Sequence, residues 1–195
     1  MIQIISSRIV DCLIRHNAIN TKDKELYKYA VNVTFLTISP IILALTWGLL
    51  FRGLYESVTI IFPFMVIRKY SGGYHTKHAL TCMISSSLIL IFCIYIAIHV
   101  NCNYIIFILN GGACISLAIF SPVEHENKKL SERERKKYSM QTRKIVFSIY
   151  LICIITYWLD ISKISLCLSI GCIMSAVMQI PPILNNLIYI YHLKL

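Results

Sequence analysis

His75 and Cys82 stand seven residues apart, where a short basic stretch enters a long apolar run. A cysteine becomes a nucleophile as its thiolate, and a neighbouring imidazole, nearby cations and a helix N-terminus all favour that form. Arg68, Lys69 and Lys77 supply cations, and Gly72-Gly73 supplies a hinge. On one unbroken helix the two side chains would share a face but stand about 10 Å apart along the axis. Proton transfer needs roughly 3 Å or one bridging water. The pairing therefore requires His75 on a turn that folds back, with the glycines taking the unusual dihedrals. The following helix should start within residues 76–79, leaving Cys82 in its first turns, where the helix dipole favours a thiolate. The plain alternative is a loop histidine and an ordinary helix cysteine. Spacing alone leaves both open, since the chain holds eight Cys and six His.

Other chemistries fare worse. His75, His78 and Cys82 form H-x2-H-x3-C, a spacing zinc accepts, but no fourth ligand is near and HExxH is absent, so no metal is expected. Glu124-His125-Glu126 sits beside a charge run and reads as a solvated turn. GxSxG, P-loop and GxGxxG patterns are missing, which argues against a serine-hydrolase elbow or a nucleotide-driven machine; no cofactor is called for. No CxxC occurs, and Cys93, Cys114, Cys153, Cys167 and Cys172 lie inside apolar runs, where free thiols behave as small apolar residues.

The elements that must hold this stretch read as membrane helices. Of 195 residues, 57% are hydrophobic and 14% charged, and the mean hydropathy is +0.68. A soluble domain is nearer half apolar and a quarter charged. The apolar residues come in blocks, predicting an all-α, polytopic integral membrane protein of about six spans: residues 31–51, 54–67, 79–100, 104–121, 145–159 and 164–180. The second is short and could be re-entrant. One membrane-embedded domain, 1–195, is expected, with a cytoplasmic amphipathic segment (1–30) and a helical bundle (31–193). Residues 1–16 carry Ile2, Ile5, Ile9, Val10 and Leu13 on one face, an amphipathic basic helix suited to the membrane interface or to the protein's own surface. A polar linker, 17–28, should follow. The first thirty residues show no signal-peptide pattern. Asn110-Gly111-Gly112 falls inside a span, where glycines allow close helix approach and the asparagine needs a polar partner. Ser131 with Glu134 forms a capping box that opens a helix toward the fifth span.

With six spans and both termini inside, 17 of the 19 Lys and Arg residues fall on the cytoplasmic side, as the positive-inside rule asks. The net charge of +10 is therefore a topology signal, and no nucleic-acid partner is implied. The His75–Cys82 stretch faces the reducing cytoplasm, which suits a working thiol.

Arg68, Gly72-Gly73, His75 and Cys82, followed after two spans by Ser121-Pro122-Val123-Glu124-His125 and then Asn127-Lys128 with a Lys/Arg-rich helix, resemble the accessory gene regulator B (AgrB) family. The resemblance covers nearly the whole chain, least clearly the apolar tail after Pro181-Pro182. It implies a multi-pass cysteine endopeptidase of a Gram-positive cell membrane. Such an enzyme removes the C-terminal tail of a quorum-sensing precursor and helps close a thiolactone. Cys82 would be the nucleophile and His75 the general base and acid. The implied partner is a precursor with an amphipathic N-terminal helix and an acidic C-terminal tail. The stretch 128–144, with Lys128, Lys129, Arg133, Lys136 and Lys137, could attract that tail, or could serve topology alone. Arg68 could bind a substrate carboxylate or anchor at the headgroups. Membrane-buried small residues would allow a homodimer. Two rival classes remain at this level: a small transporter or channel using Asn110 or Glu56, and a membrane partner that presents the peptide without cutting it.

Overall fold

The structure, a computed structural model, describes residues 2–16, 18–72, 79–123, 130–181 and 183–184, with only the backbone of 2–4, 36 and 79–83. The described residues form seven α-helices and no strand: α1 (Ile2–Arg15), α2 (Lys24–Leu50), α3 (Leu54–Ser71), α4 (Ala79–His99), α5 (Tyr104–Phe120), α6 (Glu132–Trp158) and α7 (Ser162–Val177). The all-α expectation holds.

α1 is amphipathic and lies against α2, burying Val10 and Ser6. Lys24 Nζ meets Asp11 Oδ1 at 2.8 Å. The hydrogen bond from Lys24 holds the Asp11 carboxyl below its usual 3.8 and, reciprocally, holds the Lys24 ammonium above 10.5. The linker expected over 17–28 is shorter than that, because Thr21–Asp23 makes a 3-10 turn and α2 begins at Lys24.

From α2 to α7 the helices run alternately up and down. At one end Gly53 lies against Ile98, and Lys163 Nζ donates to the Ile98 carbonyl at 3.2 Å. At the other end the close of α3, residues 121–123 and the close of α7 meet. α7 is the central helix, packed on α3, α5 and α6. Seven of its eleven buried residues are small: Ser165, Cys167, Ser169, Gly171, Cys172, Ser175 and Ala176. Small side chains let helix backbones approach, and the tightest crossing is at Gly171. A Cβ there would lie 2.5 Å from the Ile60 carbonyl oxygen and 2.5 Å from Pro63 Cγ. The close approach expected at Gly111 and Gly112 is not made. The nearest atom to a Cβ on Gly111 would be the Tyr150 hydroxyl at 3.6 Å, and Gly112 faces open space.

Asn110 is fully buried and does find polar partners. Its Nδ2 donates to Ser169 Oγ at 3.1 Å, and Cys114 Sγ lies 3.5 Å from its Oδ1. The seven described cysteines with placed side chains are all free, five of them buried.

At the charged end of the molecule α3 exceeds its expected length, and α6 begins where the capping box places it. α3 continues through Arg68, Lys69 and Tyr70 to Ser71, so Arg68 stands on a helix and not in a basic loop. α6 runs unbroken for 27 residues from the capping box, where Ser131 Oγ accepts from the Glu134 N–H and Glu134 Oε2 accepts from the Ser131 N–H. One helix among the described residues, Thr21–Leu50, has both the length and the apolarity to cross a bilayer; Ile84–His99, Tyr104–Phe120 and Ser162–Val177 are apolar but shorter.

Candidate functional site

The described residues nearest in sequence to His75 are those that end α3. Gly72 closes that helix with φ +71° and ψ −159°, a conformation essentially restricted to glycine. Its N–H still donates to the Arg68 carbonyl at 3.3 Å. It also pairs, in parallel, with Val123, whose N–H donates to the Ser71 carbonyl at 2.9 Å. A Cβ on Gly72 would collide with the Val123 carbonyl oxygen. Two demands thus converge on this residue: left-handed backbone, and no side chain between it and the 121–123 segment.

Gln179, just past α7, ties the same junction from the third side. Its Nε2 donates to the Ser71 carbonyl at 3.0 Å and to Ser121 Oγ at 2.9 Å. The side chain is fully buried, and its Oε1 has no hydrogen-bond partner among the described residues. Ser71 Oγ lies 3.2 Å from the Gly72 carbonyl, and Tyr70 packs edge-on to Tyr138 of α6 with ring centroids 6.2 Å apart. Residues 71, 121, 123 and 179, separated by up to 108 positions, are therefore held as one unit.

Of the residues expected to act, Gly72 stands at the end of α3 with a positive φ. His75 and Gly73 lie outside the described residues. Cys82 lies on the first described turn of α4, its backbone described and its side chain not. The His75–Cys82 distance and the H-x2-H-x3-C grouping therefore fall outside what is described. Among the described residues no three His, Cys, Asp or Glu gather as a metal site. Arg68 is partly buried, its guanidinium 5.6 Å from the Phe64 ring centroid, a cation–π contact that orients it on α3.

The basic stretch divides. Lys128 and Lys129 lie outside the described residues, while Arg133, Lys136 and Lys137 are exposed on the first turns of α6. A cleft of about 720 Å³ opens between α6 and the 119–122 segment, lined by Arg135, Lys136 and Arg143, with Ser121, Pro122 and Glu132. Of the residues named for the tail, Lys136 lines the cleft and Arg133 and Lys137 do not; Arg135 and Arg143, within the same 128–144 stretch, line it too. Arg143 is held by a bond from its Nε to the Ala118 carbonyl at 3.1 Å. Three cations facing one carboxylate suit an anionic chain, and Ser121 joins this cleft to the Gly72 junction.

Sequence reasoning passed over Gln179, and took Ser121 only as the first residue of the Ser121–His125 run. The one available signal was a lone glutamine closing the apolar run before Pro181. Its partners lie 58 and 108 residues away, which no local pattern reveals.

Known proteins similar to the chain agree on one family. It is 26% identical over 159 residues, 77% of its own length and 74% of the other's, to a Clostridium perfringens (strain 13 / Type A) protein with the provisional name AgrB-like protein 2. An AgrB-like protein, also provisionally named, of Listeria monocytogenes serovar 1/2a is 24% identical over 136 residues, covering 68% of this chain and 67% of that one. No solved structure matches at a significant level. The sequence profile described as Accessory gene regulator B matches residues 6–180, a stretch that takes in both the Gly72 junction and Gln179, and the chain belongs to that family.

Proposed function

We propose that the chain is a multi-pass membrane cysteine endopeptidase that trims a quorum-sensing precursor and promotes its cyclisation, with Cys82 as nucleophile and His75 as general base and acid. The observation that carries this reading is the glycine junction. A helix is stopped at Gly72 by a conformation only glycine adopts, and the stop is bonded to two distant segments three residues before His75. A fixed mount immediately before a candidate base is what proton transfer at about 3 Å requires.

In the proposed reaction His75 takes the Cys82 thiol proton and the thiolate attacks the scissile carbonyl. The imidazolium then protonates the departing amine of the C-terminal tail, leaving a thioester on Cys82. The thiol of a precursor cysteine loses its proton to His75 and attacks that thioester. A thiolactone forms and Cys82 leaves as thiolate, to be reprotonated. One thioester replaces another, so ring closure needs no external energy source. Restricting water protects the acyl-enzyme from hydrolysis. The cleft lined by Arg135, Lys136 and Arg143 receives the acidic tail.

A bilayer around α2–α7 is supported by what the helices turn outward. Leu88, Phe92 and Tyr95 form one exposed stripe on α4, and Ile108, Ile115 and Ile119 another on α5. Apolar stripes of that size are unusual on a protein bathed in water. Thr34, Thr37, Thr46, Thr59 and Thr156, on exposed faces, return their hydroxyls to carbonyls one turn back at 2.7–2.9 Å, which satisfies them where water is absent. The end carrying Ser71, Ser121 and Gln179 then faces the cytoplasm, by the Lys/Arg distribution.

The test is purified protein in liposomes with a precursor peptide encoded beside it. Mass spectrometry should find the released tail and an acyl fragment on Cys82, with neither in Cys82→Ala nor His75→Ala. Normal tail release by Cys82→Ala would refute the assignment. Asn110, which a transporter reading uses together with Glu56, has Ser169 and Cys114 as polar neighbours; tail release lost in Cys82→Ala favours the peptidase over that reading.

A further inference from the structure

We propose that Gln179 is a positioning residue for the peptidase reaction, acting through the Ser71–Gly72 turn that leads to His75; this rests on the reading given under Proposed function. Three observations carry it. Gln179 alone joins the ends of α3 and α7 and the 121–123 segment through one side chain, by bonds of 3.0 and 2.9 Å from a single nitrogen. The bond to Ser71 fills no deficit, since the Ser71 carbonyl already accepts the Val123 N–H at 2.9 Å. Finally, the amide brings an Oε1 that is buried and has no partner.

A group that leaves one of its own atoms unsatisfied, to bond a carbonyl that already has a donor, is a poor device for holding a fold together. An apolar side chain of similar volume would pack the same space without the stranded oxygen. What the amide does, and an apolar side chain cannot, is fix the distance from α7 to the residue that precedes the glycine hinge. The stop at Gly72 sets the direction in which the chain leaves α3; Gln179 sets the position from which it leaves. A displacement of about 1 Å in the mount of a catalytic group is enough to cost about 100-fold in rate.

The experiment compares wild type with Gln179→Leu and Gln179→Met, reconstituted in liposomes. Three quantities are read: Tm, kcat and KM for tail release from the precursor, and the rate of iodoacetamide alkylation at Cys82 without substrate, followed by peptide mapping across pH. Expected is a Tm within a few degrees of wild type, KM within about twofold and kcat lower by about 10- to 100-fold. Cys82 alkylation near neutral pH should slow toward the His75→Ala rate. Met is included because its flexible chain fills the site even where Leu does not. Wild-type kcat and alkylation in either folded variant would overturn the proposal. So would losses of kcat that track losses of Tm in both, since Gln179 would then be structural. Cys82→Ala and His75→Ala, run alongside, separate the two levels. If they process the precursor normally the peptidase reading itself has failed; if they are inactive while Gln179→Leu is normal, only the role of Gln179 has.

Discussion

Gly72→Ala is the sharpest test of whether the junction at the end of α3 governs activity. With φ +71° and ψ −159°, an alanine at this position pays a backbone cost of about 1–3 kcal/mol. Its Cβ would also strike the Val123 carbonyl oxygen, so the 121–123 segment must move away. That movement sacrifices the Val123 N–H to Ser71 carbonyl bond of 2.9 Å, worth about 1 kcal/mol net. The structure escapes the combined penalty of about 2–4 kcal/mol by opening at the junction, so the turn toward His75 spends most of its time displaced. If the closed junction is required for reaction, the penalty converts at 1.36 kcal/mol per tenfold to a loss of about 30- to 1000-fold in tail release. The assay is initial-rate release of the precursor tail in proteoliposomes, with Tm measured on the same preparations. Gly112→Ala is the matched control: its Cβ would meet nothing within 4 Å, and alanine is the better helix residue by about 0.5–1 kcal/mol. A folded Gly72→Ala protein that releases the tail at the wild-type rate would refute the claim that this glycine stop positions the reacting pair.

Gly171→Ala should destabilise the bundle, because its Cβ falls 2.5 Å from the Ile60 carbonyl oxygen and from Pro63 Cγ on α3; overpacking of about 1–3 kcal/mol should lower Tm by about 2–12 °C in a detergent melt. Charge reversal at Arg135 and Lys136, which line the cleft, should raise KM for a precursor with an acidic tail and weaken its salt dependence, whereas reversal at Lys137, outside the cleft, should do so less; equal effects at all three, read by steady-state kinetics, would reduce the cleft to general electrostatics. The Asp11–Lys24 tie should make α1 docking depend on pH at both extremes. The depressed Asp11 carboxyl supports docking above 3.8 and loses that support as pH falls through its lower folded value. The raised Lys24 ammonium supports docking below 10.5 and loses that support as pH rises through its higher folded value. Protease accessibility of residues 16–20 should show both limbs, and Asp11→Asn should abolish the acidic one.

Local patterns were legible where a helix boundary is decided by the residues beside it. Asn103 caps α5 through its side chain to the Ile106 N–H at 3.2 Å, and Ser131 with Glu134 caps α6; both follow from residue type and spacing. Hydropathy placed α4, α5 and α7 within three residues of their described limits. It failed where charge and helix coexist. Arg68 and Lys69 were read as loop because they are polar, yet a helix end tolerates cations in its last turn and even favours them. What stops α3 is the backbone of Gly72, not the polarity before it.

The glycines make the deeper point. Gly111-Gly112 looked like the close-packing site because two small residues stand together, but Gly171 is the one crossed by a neighbouring backbone. Composition says that a helix can approach; only the partner's path says where. The same holds for the site. His75, Cys82 and Gly72 can be proposed from a fifteen-residue window because their chemistry is local. The parts that hold the window in place, Val123, Ser121 and Gln179, come from the ends of two other stretches of chain. In a bundle whose helices alternate in direction, every second helix end returns to the same face, and that is how residues more than a hundred positions apart come to brace one turn.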